Sequence, residues 1–88
     1  MNNVILVGRL TKFEGNEVTI SVDRNYKIED GIYMSDSIPV WLSANIGGQM
    51  KEFCRIGDVI GVKGRLENRG KLVVMADKVS FISSKKSE

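Results

Sequence analysis

The sequence predicts an all-β fold, a small five-stranded barrel with one short helix between strands three and four. Three observations carry this expectation. Apolar and polar residues alternate with a period of two over much of the chain, the pattern of half-buried strands. Turn-forming groups, Glu14-Gly15-Asn16-Glu17, Asp30-Gly31 and Asn68-Arg69-Gly70, cut the chain into short segments. One stretch, Asn45 to Arg55, spaces its apolar residues as a helix does.

The first strand is expected over Val4–Thr11, bent at Gly8, since a glycine inside a strand marks a bulge or a close approach. In the second, Val18, Ile20 and Val22 alternate with Thr19, Ser21 and Asp23. Asp30-Gly31 predicts a tight hairpin. Ile38, Val40 and Leu42 then alternate with Pro39, Trp41 and Ser43 in the third strand, and Pro39 requires an unpaired side there. Ile46, Met50, Phe53 and Cys54 define one apolar helix face, with Gly47-Gly48 weakening its start, so the firm helix is expected over Gln49–Arg55. Val59–Glu67 and Leu72–Ile82 complete the strands. The order β-β-β-α-β-β is that of the five-stranded Greek-key barrel called the OB-fold. Closure into a barrel largely removes the edges that an open sheet would leave. Residues 1–83 are expected to form one domain, with 84–88 a short flexible tail.

Composition narrows the function. A chain of 88 residues is one domain with a thin core. No apolar run approaches the roughly 20 residues of a membrane span, and Met1-Asn2-Asn3 does not open a signal peptide. With no histidine and one cysteine, neither a zinc finger nor a Ser–His–Asp triad can be built. Cys54 reads as a small buried apolar residue of a reducing, cytoplasmic setting. No cofactor, metal site or catalysis is expected. The net charge is only +2, but it is unevenly spread: residues 63–71 hold Lys63, Arg65, Arg69 and Lys71 against Glu67, whereas residues 29–37 hold three acids and no base. Such a basic stripe suits a phosphate backbone or a solvated hairpin.

Four segments resemble the bacterial and phage single-stranded DNA-binding proteins: NNVILVGRLT (Asn2–Thr11), VTISVDRNY (Val18–Tyr26), GDVIGVKGRLENR (Gly57–Arg69) and MADKVSFI (Met75–Ile82). They occur in the family's order. Resemblance implies an OB-fold that binds single-stranded DNA in replication, recombination or repair, as a homo-oligomer of two or four subunits with Asn3–Val7 near the interface. It also implies an aromatic at the end of strand two that stacks on bases. The chain departs from the family in a short loop between strands one and two and a tight turn between strands four and five. A Gly-rich tail with an acidic tip is missing, so a trimmed member is expected. A primosomal-replication-protein-like accessory factor, acting mainly through protein partners, fits the same pattern.

Sequence-neutral binding of a single strand needs aromatic platforms beside cations. Phe53 and Phe81 are in phase with apolar neighbours and read as core. Trp41 is out of phase with Ile38, Val40 and Leu42, so it points outward. Counting back from a two-residue Asp30-Gly31 turn sets Tyr26 opposite Ser35. One bulge between Val22 and Tyr26 then brings Tyr26, Ile28, Tyr33 and Trp41 to one face. The stacking candidates are Tyr26, Trp41, Tyr33 and Phe13; the same rings fit a subunit interface. Candidates for phosphate contact are Arg9, Lys12, Arg24, Lys27, Arg65, Arg69 and Lys71. An oligosaccharide-binding or purely structural module remains as the alternative class.

Overall fold

The computed structural model of the chain describes residues 1–84, with the side chains of 26–28 outside that description. Five strands, β1 (Val4–Glu14), β2 (Glu17–Glu29), β3 (Ile32–Trp41), β4 (Val59–Asn68) and β5 (Leu72–Ser83), surround one core, and α1 (Ala44–Phe53) lies between β3 and β4. The barrel closes in the order β1-β2-β3-β5-β4. All neighbours are antiparallel except β3 and β5, whose parallel contact is the pairs Val40–Val74 and Trp41–Met75. This contact begins just past Pro39, which meets the expectation of an unpaired side at that residue. The expected barrel, OB-fold order and helix position are therefore present. Residues 85–88 of the expected tail lie outside the described residues.

Inward positions recur every second residue. Leu10, Val18, Ile20, Val40 and Ile60 are completely buried, and Val62 nearly so. Gly64 is buried where β4 bends over β5, and any side-chain carbon there would run into the carbonyl of Met75. The helix begins earlier than its glycine pair predicts. Ser43 caps it by accepting the amide of Ile46 at 3.2 Å, and the adjoining Leu42 amide donates to the Asn16 carbonyl at 2.7 Å, tying the helix entrance to the β1–β2 turn. Tertiary anchoring thus overrides the local cost of two glycines. After the helix, buried Asp58 accepts the Arg55 amide at 2.8 Å, which gives that carboxylate a structural role. Among the described residues, no helix is long and apolar enough to cross a membrane.

Two expectations need correction. Phe53 and Phe81 are not core residues: they are 69% and 52% exposed. Both line a cleft between α1 and β5, and among the described residues nothing further covers them. The β2–β3 hairpin also differs. Glu29 and Ile32 pair across Asp30-Gly31 as expected, but Ser35 stands opposite Asp23 rather than Tyr26. Between Lys27–Tyr33 and Glu29–Ile32, two steps of β2 span one of β3; between Asp23–Ser35 and Lys27–Tyr33, four steps span two. A single bulge is replaced by two irregularities, one of them nearer the turn.

Candidate nucleic-acid interface

The outward face of β3 carries Tyr33 and Trp41, 52% and 44% exposed. They are eight residues apart on one strand, about 27 Å at roughly 3.4 Å per residue. The hairpin register sets Tyr33 opposite Lys27. Tyr26 and Lys27, one stacking and one phosphate candidate, have side chains outside the described residues, so a row including them is not established.

Trp41 occupies the seam of the barrel. Its partner across the parallel contact is Met75, and the partner of Met75 across β4–β5 is Arg65. Directly paired residues share a face. Trp41, Met75 and Arg65 therefore form one row over three strands: an exposed aromatic ring, a polarizable thioether and a guanidinium. Met75 went unnoticed in the sequence because it lies within the apolar block of β5, and only the β3–β5 register shows that it sits beside Trp41.

Phe13 belongs elsewhere. It is half-buried, pairs with fully buried Val18 and packs against the core. The Lys51 ammonium lies 6.0 Å from its ring centroid. Phe13 is thus on the inner side of the sheet and is not brought together with Trp41.

Most of the cationic candidates are already engaged. Arg65 donates to Glu67 at 2.8 Å and also pairs with Asp77. Arg69 donates to the same Glu67 at 2.9 Å. The hydrogen bonds from Arg69 and Arg65 hold the Glu67 carboxyl below its ordinary range. Arg24 pairs with Asp36, Lys12 with Glu14 at 3.5 Å, and Arg9 donates to the Gly57 carbonyl at 2.5 Å. Lys71 is exposed in the β4–β5 turn. These ion pairs lie at the surface, where solvent screens them and leaves them weak, so an arriving phosphate can displace the carboxylate. Arg65, Arg69 and Lys71 cluster at one end of the Trp41 row, whereas Arg9, Lys12 and Arg24 are spread over other strands.

The remaining chemistry is sparse. Burial pushes the Cys54 thiol up, leaving it protonated and unreactive near neutrality. Among the described residues, no group of three or more His, Cys, Asp or Glu side chains is placed to hold a metal ion.

No family model matches the chain. A single-stranded DNA-binding protein of Clostridium acetobutylicum is 29% identical to it, over 98% of this chain and 97% of that protein. Matches to streptococcal and enterococcal proteins of the same description, at 30% and 34% identity, span only 61% and 42% of those proteins. Among solved structures, the small single-stranded DNA-binding protein of Streptomyces coelicolor superposes with a TM-score of 0.65 at 20% identity, covering 93% of this chain and 95% of that one. The dimeric N-terminal domain of PriB from Thermoanaerobacter tencongensis superposes with a TM-score of 0.69 at 22% identity, covering 94% and 98%. These likenesses establish the barrel architecture. With the near-complete match in sequence and the shared strand order, the chain is similar to single-stranded DNA-binding proteins along its whole length.

Proposed function

We propose that the chain binds single-stranded DNA without reading its sequence, through base stacking on Trp41 and phosphate contacts from Arg65, Arg69 and Lys71. The observation that carries this reading is the row Trp41, Met75, Arg65: an exposed ring flanked by an apolar side chain and a cation, on the outside of a barrel. Stacking is indifferent to base identity because every base has a π-face. Tyr33 extends the platform along β3. The names of the relatives support the same ligand. The role is one of holding or coating DNA during replication, recombination or repair in the cytoplasm, without catalysis.

A second copy of the chain suits the outward face of β1. Ile5 and Val7 are 74% and 53% exposed there, and Ile82 of β5 reaches toward the same surface over Gly61. Exposed apolar side chains in a row mark an interaction surface. The dimeric state of the PriB domain supports an assembly of this kind. Likeness to that domain also supports a second reading, an accessory factor that works mainly through replication proteins.

The deciding experiment titrates oligo(dT) into the protein and follows the fluorescence of its single tryptophan. Stacking quenches Trp41, and duplex DNA of equal length leaves it bright. A saturated complex with unchanged emission refutes the stacking site. Failure to bind oligo(dT) while capturing a replication protein selects the accessory reading.

A further inference from the structure

The row that holds Trp41 continues on its other side. Glu17, the first residue of β2, stands directly opposite Trp41, and Glu14 of β1 stands opposite Glu17. Directly paired residues share a face. The outward row therefore reads Glu14, Glu17, Trp41, Met75, Arg65, one residue from each strand of the barrel. Its two ends carry opposite charge, with the indole between them.

Ladder geometry keeps Glu17 close to the ring. The Leu42 amide donates to the Asn16 carbonyl, which makes Asn16 and Leu42 a hydrogen-bonded pair. One step along, Glu17 and Trp41 are then a non-hydrogen-bonded pair, the class with the closer side chains and Cα atoms about 4.5 Å apart. The next step, Val18 opposite Val40, is completely buried and fixes the register.

Charge along the row is unevenly compensated. Lys12 meets Glu14. Arg65 meets Glu67 and also Asp77, the extra residue where β5 bulges between Ala76 and Lys78. Glu17, half-buried, takes part in no ion pair or side-chain hydrogen bond among the described residues. An uncompensated carboxylate repels phosphate, so the backbone of a bound strand belongs on the Arg65 side of the ring, two strands or about 10 Å away. A base stacked on Trp41 with its phosphate at Arg65 turns its far edge to Glu17. An ionised carboxylate only accepts hydrogen bonds. Amino groups of cytosine, adenine and guanine can donate to it, whereas thymine and uracil present a carbonyl oxygen that it repels.

We propose that Glu17 selects the base at the Trp41 subsite, favouring bases with an exocyclic amino group over thymine and uracil. This rests on the reading of Trp41 as a stacking platform. The preference concerns the composition of the bound strand and leaves the order of its bases unread.

The test compares oligo(dC) with oligo(dU) of equal length at about pH 8, following Trp41 emission. These pyrimidines have rings of one size and differ in the group on C4 and the proton on N3. The parent chain binds oligo(dC) about 2- to 12-fold more tightly, the effect of one hydrogen bond. Glu17→Gln abolishes the preference, because an amide donates to a carbonyl as readily as it accepts from an amine. Glu14→Gln makes the same change of charge one strand farther from the ring; it tightens both complexes and keeps their ratio. Should Glu17→Gln melt early, Glu17→Thr, a good strand former, repeats the comparison with the same expected loss of preference. Equal affinity of the parent for the two oligonucleotides, with Trp41 quenched by both, overturns the role of Glu17 and leaves the stacking site standing. A Glu17→Gln variant that tightens both complexes at an unchanged ratio overturns it too, and makes Glu17 a repeller of phosphate only. Binding without quenching removes the stacking site itself and the proposal with it.

Discussion

Arg24 and Asp36 meet across the β2–β3 hairpin through two hydrogen bonds, Nε to Oδ2 at 3.0 Å and Nη2 to Oδ1 at 2.9 Å. This two-pronged geometry directs the guanidinium and aligns the two strands just before their register becomes irregular. The hydrogen bond from Arg24 holds the Asp36 carboxyl below its ordinary 3.8. A depressed carboxylate stabilises the fold above its unfolded value, and this contribution is lost as pH falls through the folded one. Asp36→Asn is therefore expected to lower the melting temperature slightly at pH 7 and to match the parent at pH 2, so that its decline with falling pH is flatter. Thermal melts of both proteins between pH 2 and pH 7 check this.

Trp41→Ala is expected to weaken oligo(dT) binding about 5- to 150-fold, from roughly 1–3 kcal/mol of stacking. Trp41→Phe should keep most of the affinity, since a smaller ring still stacks. Anisotropy titrations at fixed salt measure both. Loss of affinity in Trp41→Ala without a change in melting temperature separates a ligand contact from a structural one.

Glu67 is shared by Arg65 and Arg69 and competes with any phosphate for them. Glu67→Gln is expected to tighten binding at low salt and to steepen the salt dependence, by at most about 1.4 for two contacts to a single strand. Titrations at several salt concentrations decide it. A weaker complex would mean that Glu67 positions the arginines rather than occupying them.

Two glycines should respond in opposite directions to alanine. At Gly64 the added carbon meets the Met75 carbonyl, so Gly64→Ala is expected to cost about 1–3 kcal/mol or to prevent folding. At Gly48, inside the helix, the carbon meets nothing within 4 Å, so Gly48→Ala is expected to stabilise by roughly 0.8–1.0 kcal/mol. Urea denaturation of the pair gives the sign of each.

Assembly is open to the same directness. Val7→Glu places a charge in the middle of the exposed β1 face and is expected to yield a monomer by light scattering at high micromolar concentration. The parent chain should remain at two or four copies. A monomeric parent removes the proposed subunit contact.

Much of this was legible because period and turn chemistry act locally. Val18, Ile20 and Val22 declare their strand, Asp30-Gly31 closes its hairpin, and the phase of Trp41 points it outward. What escaped depends on register, which is a long-range property. The neighbours of Trp41 follow from a parallel contact between residues more than thirty positions apart. The partners of Arg65 and the displacement of Asp77 follow from a bulge that no local pattern announces. Phe53 and Phe81 misled for another reason. Their phase is that of inward residues, but both stand in the wall of an open cleft between α1 and β5. Periodicity reports direction, not depth.

The parallel junction between β3 and β5 is two residue pairs long, whereas β4 and β5 run together over ten. Such a cylinder has a zip that is nearly open along one line. Amide protons beside that line should exchange with deuterium well before those of the long hairpins, because few hydrogen bonds must break to expose them. A nucleic-acid strand laid over Trp41 and Arg65 crosses the same line and acts as a clasp. Occupancy would then slow exchange selectively at Val40, Trp41, Val74 and Met75, and the barrel would be tightest when it is loaded.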